Sequence, residues 1–201
     1  MNAVVKPEIV VTLNGENVGV IPRYDSEYVL MRERDFNVIL DNTNLEIMLA
    51  VISGHNTFTQ IMKRTNLQRG KLSRHLRRML NAGWIIKSGN RYLPSGRIYV
   101  VYDVRDVDGE IMLSILMSKG AFIDPFHGLV IINGEPLSNY CSTCPLRQAC
   151  VNNVKSLARK YNVELRGGAE PSEAYVELFR ELVRRDLIKK FRSGWRIVVM
   201  R

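Results

Sequence analysis

The stretch from Asn44 to Pro94 constrains the fold more than any other part of this 201-residue chain. "NLEIMLAVIS" starts behind Asn42, Thr43 and Asn44, each able to cap a helix, and stops at Gly54. "TFTQIMKRTN" reads as a short second helix. "LQRGKLSRHLRRMLNAG" is a third, with Leu72, Leu76, Met79 and Leu80 on one stripe and Lys71, Arg74, His75 and Arg78 on another. After Gly83, "WIIKSGNRYLP" gives two short apolar runs around Ser-Gly-Asn, the pattern of a small hairpin.

Three helices followed by a hairpin is the order of a winged helix-turn-helix. The string "LSRHLRRMLNAGWI" resembles the winged-helix regulators of the MarR and ArsR type, and the likeness covers roughly residues 44–94. It implies a DNA-binding fold whose third helix enters the major groove and whose hairpin is the wing. The charge agrees. Residues 56–105 hold eleven Lys or Arg and one acid, Asp103, while the whole chain nets +9. A solvated surface mixes its signs, whereas a one-sided block reads as a polyanion footprint. In this fold Gln68, Arg69, Lys71 and Ser73 stand nearest the base edges, with Arg74 one turn deeper. Arg and Gln suit bidentate contacts to guanine and adenine. Arg77 and Arg78, with Lys63 and Arg64 on the second helix, are placed for phosphates, and Arg91 in the wing for the minor groove. His75, beside Ser73, is expected to face DNA as well.

Upstream, "EIVVTLNGENVGVI" reads as a hairpin about Asn-Gly, and "SEYVLMRERDFNVIL" is ambiguous between strand and helix, so residues 1–42 are expected to form a β-rich leader. Downstream, fragments of the first module recur in order. "EIMLAVI" returns as "EIMLSIL" at 110–116, "IMKRTNL" as "LARKYNV" at 157–163, and "LRRMLNAGWII" as "FRELVRRDLIK" at 179–189. The fold predicted is therefore α+β, with tandem winged helix-turn-helix domains at 43–105 and 106–201 and an insertion in the second at about 121–150. The second module carries Glu173, Glu177 and Glu181 at i, i+4 and i+8, with Glu170 just before, on the helix that would face phosphates. That acidic stripe points to a protein-facing or intramolecular role.

All three cysteines of the chain lie in "CSTCPLRQAC", within the expected insertion. Cys141, Cys144 and Cys150, spaced C-x2-C-x5-C, suit convergence on one centre. Zinc needs four ligands, and the nearest candidate for the fourth is His127. The Cys144-Pro145 step is common beside iron–sulfur clusters. The decapeptide resembles the iron–sulfur element of the RNA polymerase III winged-helix subunit and of its archaeal counterpart, the transcription factor E beta subunit. That resemblance implies a 4Fe-4S cluster and an archaeal source, but the fourth cysteine of those proteins has no equivalent here. A disulfide and inert buried thiols are the other two readings.

No Walker or Rossmann glycine pattern occurs, and His55, His75 and His127 are far apart in sequence, so no enzyme is expected. No apolar run approaches the roughly 18 residues of a membrane span, and the N-terminus lacks a secretory h-region; a cytoplasmic protein is expected. Arg outnumbers Lys by about two to one and Gln is scarce, which leans towards a thermophile. The leading expectation is a sequence-specific double-stranded DNA-binding transcription regulator, homodimeric on a palindrome, with a protein partner on the second module. The alternatives are an initiation factor bridging DNA and a protein machine, and a protein- or RNA-interaction module.

Overall fold

The computed structural model describes residues 8–13, 16–22, 27–107, 110–124, 126–134, 143–166, 170–187 and 196–200. β1 (Glu8–Leu13) and β2 (Glu16–Pro22) pair antiparallel, as the Asn-Gly signal predicts, although Asn14 and Gly15 lie outside the described residues. The ambiguous stretch that follows is both kinds of structure. β3 (Tyr28–Arg32) leads into a single helical turn, α1 (Glu33–Phe36), and a 3-10 turn over Asn37–Leu40.

The three predicted helices are α2 (Asn42–Ile52), α3 (Phe58–Thr65) and α4 (Arg69–Ala82), and the hairpin is β4 (Ile85–Ser88) with β5 (Arg91–Pro94). Local signals set their ends. Asp41, rather than any of the three residues after it, caps α2 by accepting from the amides of Thr43 (2.9 Å) and Asn44 (3.2 Å). Thr57 and Gln60 form a reciprocal capping box at the start of α3. α4 ends at Gly83, whose φ of 80° is the left-handed conformation that glycine tolerates best.

A five-stranded sheet follows. β6 (Ile98–Val107) pairs parallel with β3 and antiparallel with β7 (Glu110–Asp124). The other edge of β7 takes β8 (Gly128–Asn133) antiparallel and β9 (Arg196–Met200) parallel. Between β8 and β9 the chain forms α5 (Arg147–Lys160), α6 (Pro171–Leu182) and a π-helical turn, Val183–Leu187.

Alternate residues of each strand serve opposite layers. Tyr28, Leu30, Ile98, Val100, Tyr102, Ile115 and Met117 pack with Val154, Leu157, Leu178 and Phe179 of α5 and α6. Val29, Met31, Tyr99, Val101 and Ala121 pack with Phe36, Ile47, Leu72, Leu76 and Trp84 of the helix-turn-helix side. A sheet covered on both faces needs apolar residues at successive positions, which is why residues 28–31 of β3 and 98–102 of β6 read as unbroken apolar runs. Trp84 fixes the start of the wing to the sheet. It is fully buried, stacks on Tyr99 with ring centroids 4.3 Å apart, and donates its indole N–H to the Asp35 carbonyl at 2.9 Å. The Tyr99 hydroxyl donates to the Trp84 carbonyl at 2.9 Å, and burial pushes that phenol up to about 12.

The second winged helix expected over 106–201 is replaced by this architecture. "EIMLSIL" is not a helix but part of β7, with Ile115 and Met117 in one core and Leu116 packed against the other. Asp108-Gly109 ahead of it is a hairpin signal, whereas the shared "EIML" at 46–49 follows a capping Asp41. Residues 157–160 of the second match lie in α5 and residues 179–187 of the third run from α6 into the π turn, while 188–189 lie outside the described residues. Residues 196–200 join β7, and the expected wing turn at 192–194 lies outside the described residues. The boundary at 105/106 falls inside β6, and residues 121–124 and 128–133 of the expected insertion belong to the sheet, as the end of β7 and all of β8. The leader likewise contributes β3 and Phe36 to the two cores. Among the described residues no helix is long and apolar enough to cross a membrane.

Candidate nucleic-acid interface

Leu72, Leu76 and Met79 turn one side of α4 into the core, and this fixes what its other side presents. Arg69, Lys71, Ser73, Arg74, Arg77 and Arg78 are all exposed, as is Gln68 at the N-cap. No side chain caps the first turn of α4, so its free amides add to the positive potential there. Lys63 and Arg64 are exposed in the last turn of α3, and Arg91 is exposed as the first residue of β5. Ten of the eleven residues singled out for DNA are therefore exposed. Arg78 also lies 3.8 Å from Asp41, but both side chains are more than a third exposed, so the pair contributes little.

His75 departs from expectation. It is half-buried, with Nδ1 2.8 Å from the Oδ1 of Asn44. Asn44 is itself wholly buried and donates to the Val38 carbonyl at 2.7 Å. His75 thus ties α4 to α2 and to the segment before it, because its place in the helix points it along the core edge.

Two residues were not legible as part of this face. Arg34, on α1, lines a surface cleft together with Arg74, Arg77, Arg78 and Asn81. It stands outside the local helix pattern and joins the face only through the fold. Gly70 sits on the outer side of the first turn of α4, and a Cβ there would meet nothing within 4 Å. Glycine weakens a helix, so its presence where the protein leaves open space is a signal in itself. Gly70→Ala is expected to stabilise the chain by about 0.5 kcal/mol and to weaken duplex binding by crowding the approach of the DNA. A thermal melt and a fluorescence-anisotropy titration check the two halves separately; unchanged affinity would place Gly70 off the interface.

Residues 143–150, the described part of the cysteine segment, lead into α5, which packs on the face of the sheet opposite the helix-turn-helix. Cys141 is outside the described residues. Cys144, half-buried, stands in the turn before α5, and Cys150 in the first turns of that helix; neither is in a disulfide. Sequence reasoning named His127 as the nearest possible partner, and its Nε2 is 3.2 Å from the Cys150 Sγ. Among the described residues no three His, Cys, Asp or Glu side chains converge as an ion would require. The acidic stripe on α6 is engaged locally. Glu170 accepts from Arg147 at 2.8 Å, Glu177 from the Arg166 amide at 3.1 Å, and Glu181 from Arg184 at 3.2 Å.

With that geometry in place the comparisons with known proteins are specific to one region. Residues 41–87 match the family model of the bacterial regulatory protein, arsR family. The matched span runs from the Asp41 cap through α4 to the third residue of β4, and it supports a winged-helix DNA-binding domain. No curated protein and no solved structure matches the chain.

Proposed function

We propose that this chain is a sequence-specific double-stranded DNA-binding protein that regulates transcription. α4 enters the major groove, with Gln68, Arg69, Lys71, Ser73 and Arg74 towards the bases. Lys63, Arg64, Arg77, Arg78 and Arg34 hold the phosphates, and the wing with Arg91 follows the backbone or minor groove. The observation that carries this reading is the exposed basic face on a helix whose opposite side is locked into the core. Positive charge supplies affinity, and the groove-facing side chains supply choice of sequence. The helix-turn-helix match adds that regulatory proteins use such a unit.

Two copies bound to a palindrome would place their α4 helices about one turn of DNA apart. Genome-wide mapping of bound sites tests the whole proposal. Enrichment at a limited set of promoters supports it. Enrichment at origins or at every promoter would favour an initiation adaptor, and no enrichment would remove the DNA reading. At the level of single residues, Lys63→Ala should weaken all duplexes alike and reduce the slope of log affinity against log salt by about 0.9. Titrations at several salt concentrations read that slope directly.

A further inference from the structure

The thiol of Cys150 has a base beside it. Its Sγ lies 3.2 Å from the Nε2 of His127, and the Nδ1 of the same ring lies 3.2 Å from the Asp124 carboxylate. Asp124 is completely buried and accepts from the amides of Phe126 (2.7 Å) and His127 (2.9 Å) and from the side chains of Asn153 and Tyr175. Burial holds the Tyr175 phenol well above the usual tyrosine range, so it stays a donor to that carboxylate. A carboxylate pinned in this way keeps a proton on Nδ1 and turns the Nε2 lone pair towards the sulfur. Nucleophile, base and orienting carboxylate in hydrogen-bond sequence is the arrangement that activates a weak nucleophile. The three groups stand in series rather than around a common point, which suits passing a proton and not holding an ion.

One helix positions both ends of this relay. The Cys150 amide donates to the Leu146 carbonyl at 2.9 Å in the first turn of α5, and Asn153 of the same helix holds Asp124. No side chain caps the start of α5, whose field favours a thiolate over a thiol. Cys150 is half-buried, open to a small reagent and closed to a bulky one.

From this geometry we propose that Cys150 is a site of covalent modification by hydroperoxides, with His127 as proton carrier and Asp124 as the positioning residue behind it. His127 draws the proton from the thiol, and the thiolate attacks the terminal oxygen of the hydroperoxide. An S–O bond forms as the O–O bond breaks, and the sulfur gives two electrons to the peroxide. The departing alkoxide or hydroxide takes the proton back from His127, leaving Cys150 as a sulfenic acid beside an alcohol or water. The leaving group selects the reagent class. Alkoxide and hydroxide are strong bases that leave poorly without a proton, so an imidazolium beside the sulfur helps them most. Phe126, next to His127, and Leu146, four residues before Cys150, are exposed apolar side chains that suit an organic hydroperoxide as well as hydrogen peroxide. The chemistry makes no use of the DNA reading.

The test uses the full chain, reduced, at neutral pH with a chelator present. Hydrogen peroxide and cumene hydroperoxide are the probes, and dimedone traps the sulfenic acid for peptide mass spectrometry. Cys144 is the internal comparison: it stands in the turn before the same helix, is also half-buried, and has no imidazole against it among the described residues. Cys150 should be trapped at least about 10-fold faster than Cys144, because an ordinary thiol is only about a few per cent ionised at pH 7. His127→Gln should slow oxidation of Cys150 by about 100-fold or more. It should slow alkylation by iodoacetamide, whose halide leaves without a proton, by only about 10-fold. Asp124→Asn should show the same split between reagents, whereas looser packing alone would change both alike. Far-UV circular dichroism shows which variants remain folded, and the comparison of Cys150 with Cys144 needs none of them. Oxidation of Cys150 no faster than that of Cys144, or equal slowing of both reagents in folded His127→Gln, would overturn the proposal. Faster trapping at Cys150 with either hydroperoxide supports it, and the more reactive of the two names the source.

Discussion

Replacing Arg69, Lys71, Arg74 and Arg78 together by Ala is expected to abolish sequence-specific duplex binding while leaving the chain folded. The four side chains are exposed on α4, and Ala is the strongest helix former, so the helix itself should be retained or slightly stabilised. Arg74→Ala alone should cost about 1–3 kcal/mol at the preferred site and relax its sequence preference. Removing all four should reduce binding to the non-specific level, about 10³-fold weaker or more. The salt slope should fall by about 0.9 for each lost phosphate contact. Anisotropy titrations on specific and scrambled duplexes measure both effects. A quadruple variant that keeps its specific affinity and its circular dichroism spectrum would show that another surface reads the DNA.

Gly120→Ala is expected to be among the most destabilising single-atom additions in the chain. Gly120 sits in β7 where the pairing with β6 shifts register, between Val100 and Val101. There the ring of Phe179 lies directly on the strand. An added Cβ would come 2.7 Å from Phe179 Cε2 and 2.8 Å from the Tyr99 carbonyl oxygen. Both neighbours are fully buried, so neither can swing into solvent. Overpacking of this kind costs about 1–3 kcal/mol, a loss of several degrees in melting temperature for a chain of this size. Phe179→Ala removes the ring and should cost about 3–5 kcal/mol by itself. Because the two changes share the contact with the ring, the double variant should lose less than the sum of the two single changes, with only the clash at the Tyr99 carbonyl remaining. Strict additivity in thermal or denaturant unfolding would mean that the strand and the ring do not touch.

The helix-turn-helix was legible because its signals are local. Apolar stripes, a capping box at Thr57 and Gln60, and a left-handed Gly83 specify three helices and their ends within a few residues of each element. The sheet was not, because its logic is non-local. The first half of β6, residues 98–102, is apolar on both faces and shows no alternation, and β3 finds its partner only after the whole DNA-binding unit has intervened. "EIML" occurs once as helix and once as strand, so letters alone could not separate them, while the Asp-Gly before the second copy could. The candidate interface follows the same division. Side chains on α3, α4 and β5 were placed correctly on the surface from spacing, whereas His75 was drawn inward by Asn44, a residue far from it in sequence. Arg34 could not be found at all without the fold that carries it alongside α4.

The parallel pairing of β3 with β6 makes the entire DNA-binding unit the crossover between two neighbouring strands. Its contacts are close in sequence and can form early, whereas the strand pair that frames it closes a long loop and must form late. β9 then joins β7 from the far end of the chain, so the sheet is complete only when the last described residues are in place. α4 and the sheet are therefore expected to mature in order during synthesis, and a chain released early would carry a formed α4 above an open strand edge prone to association.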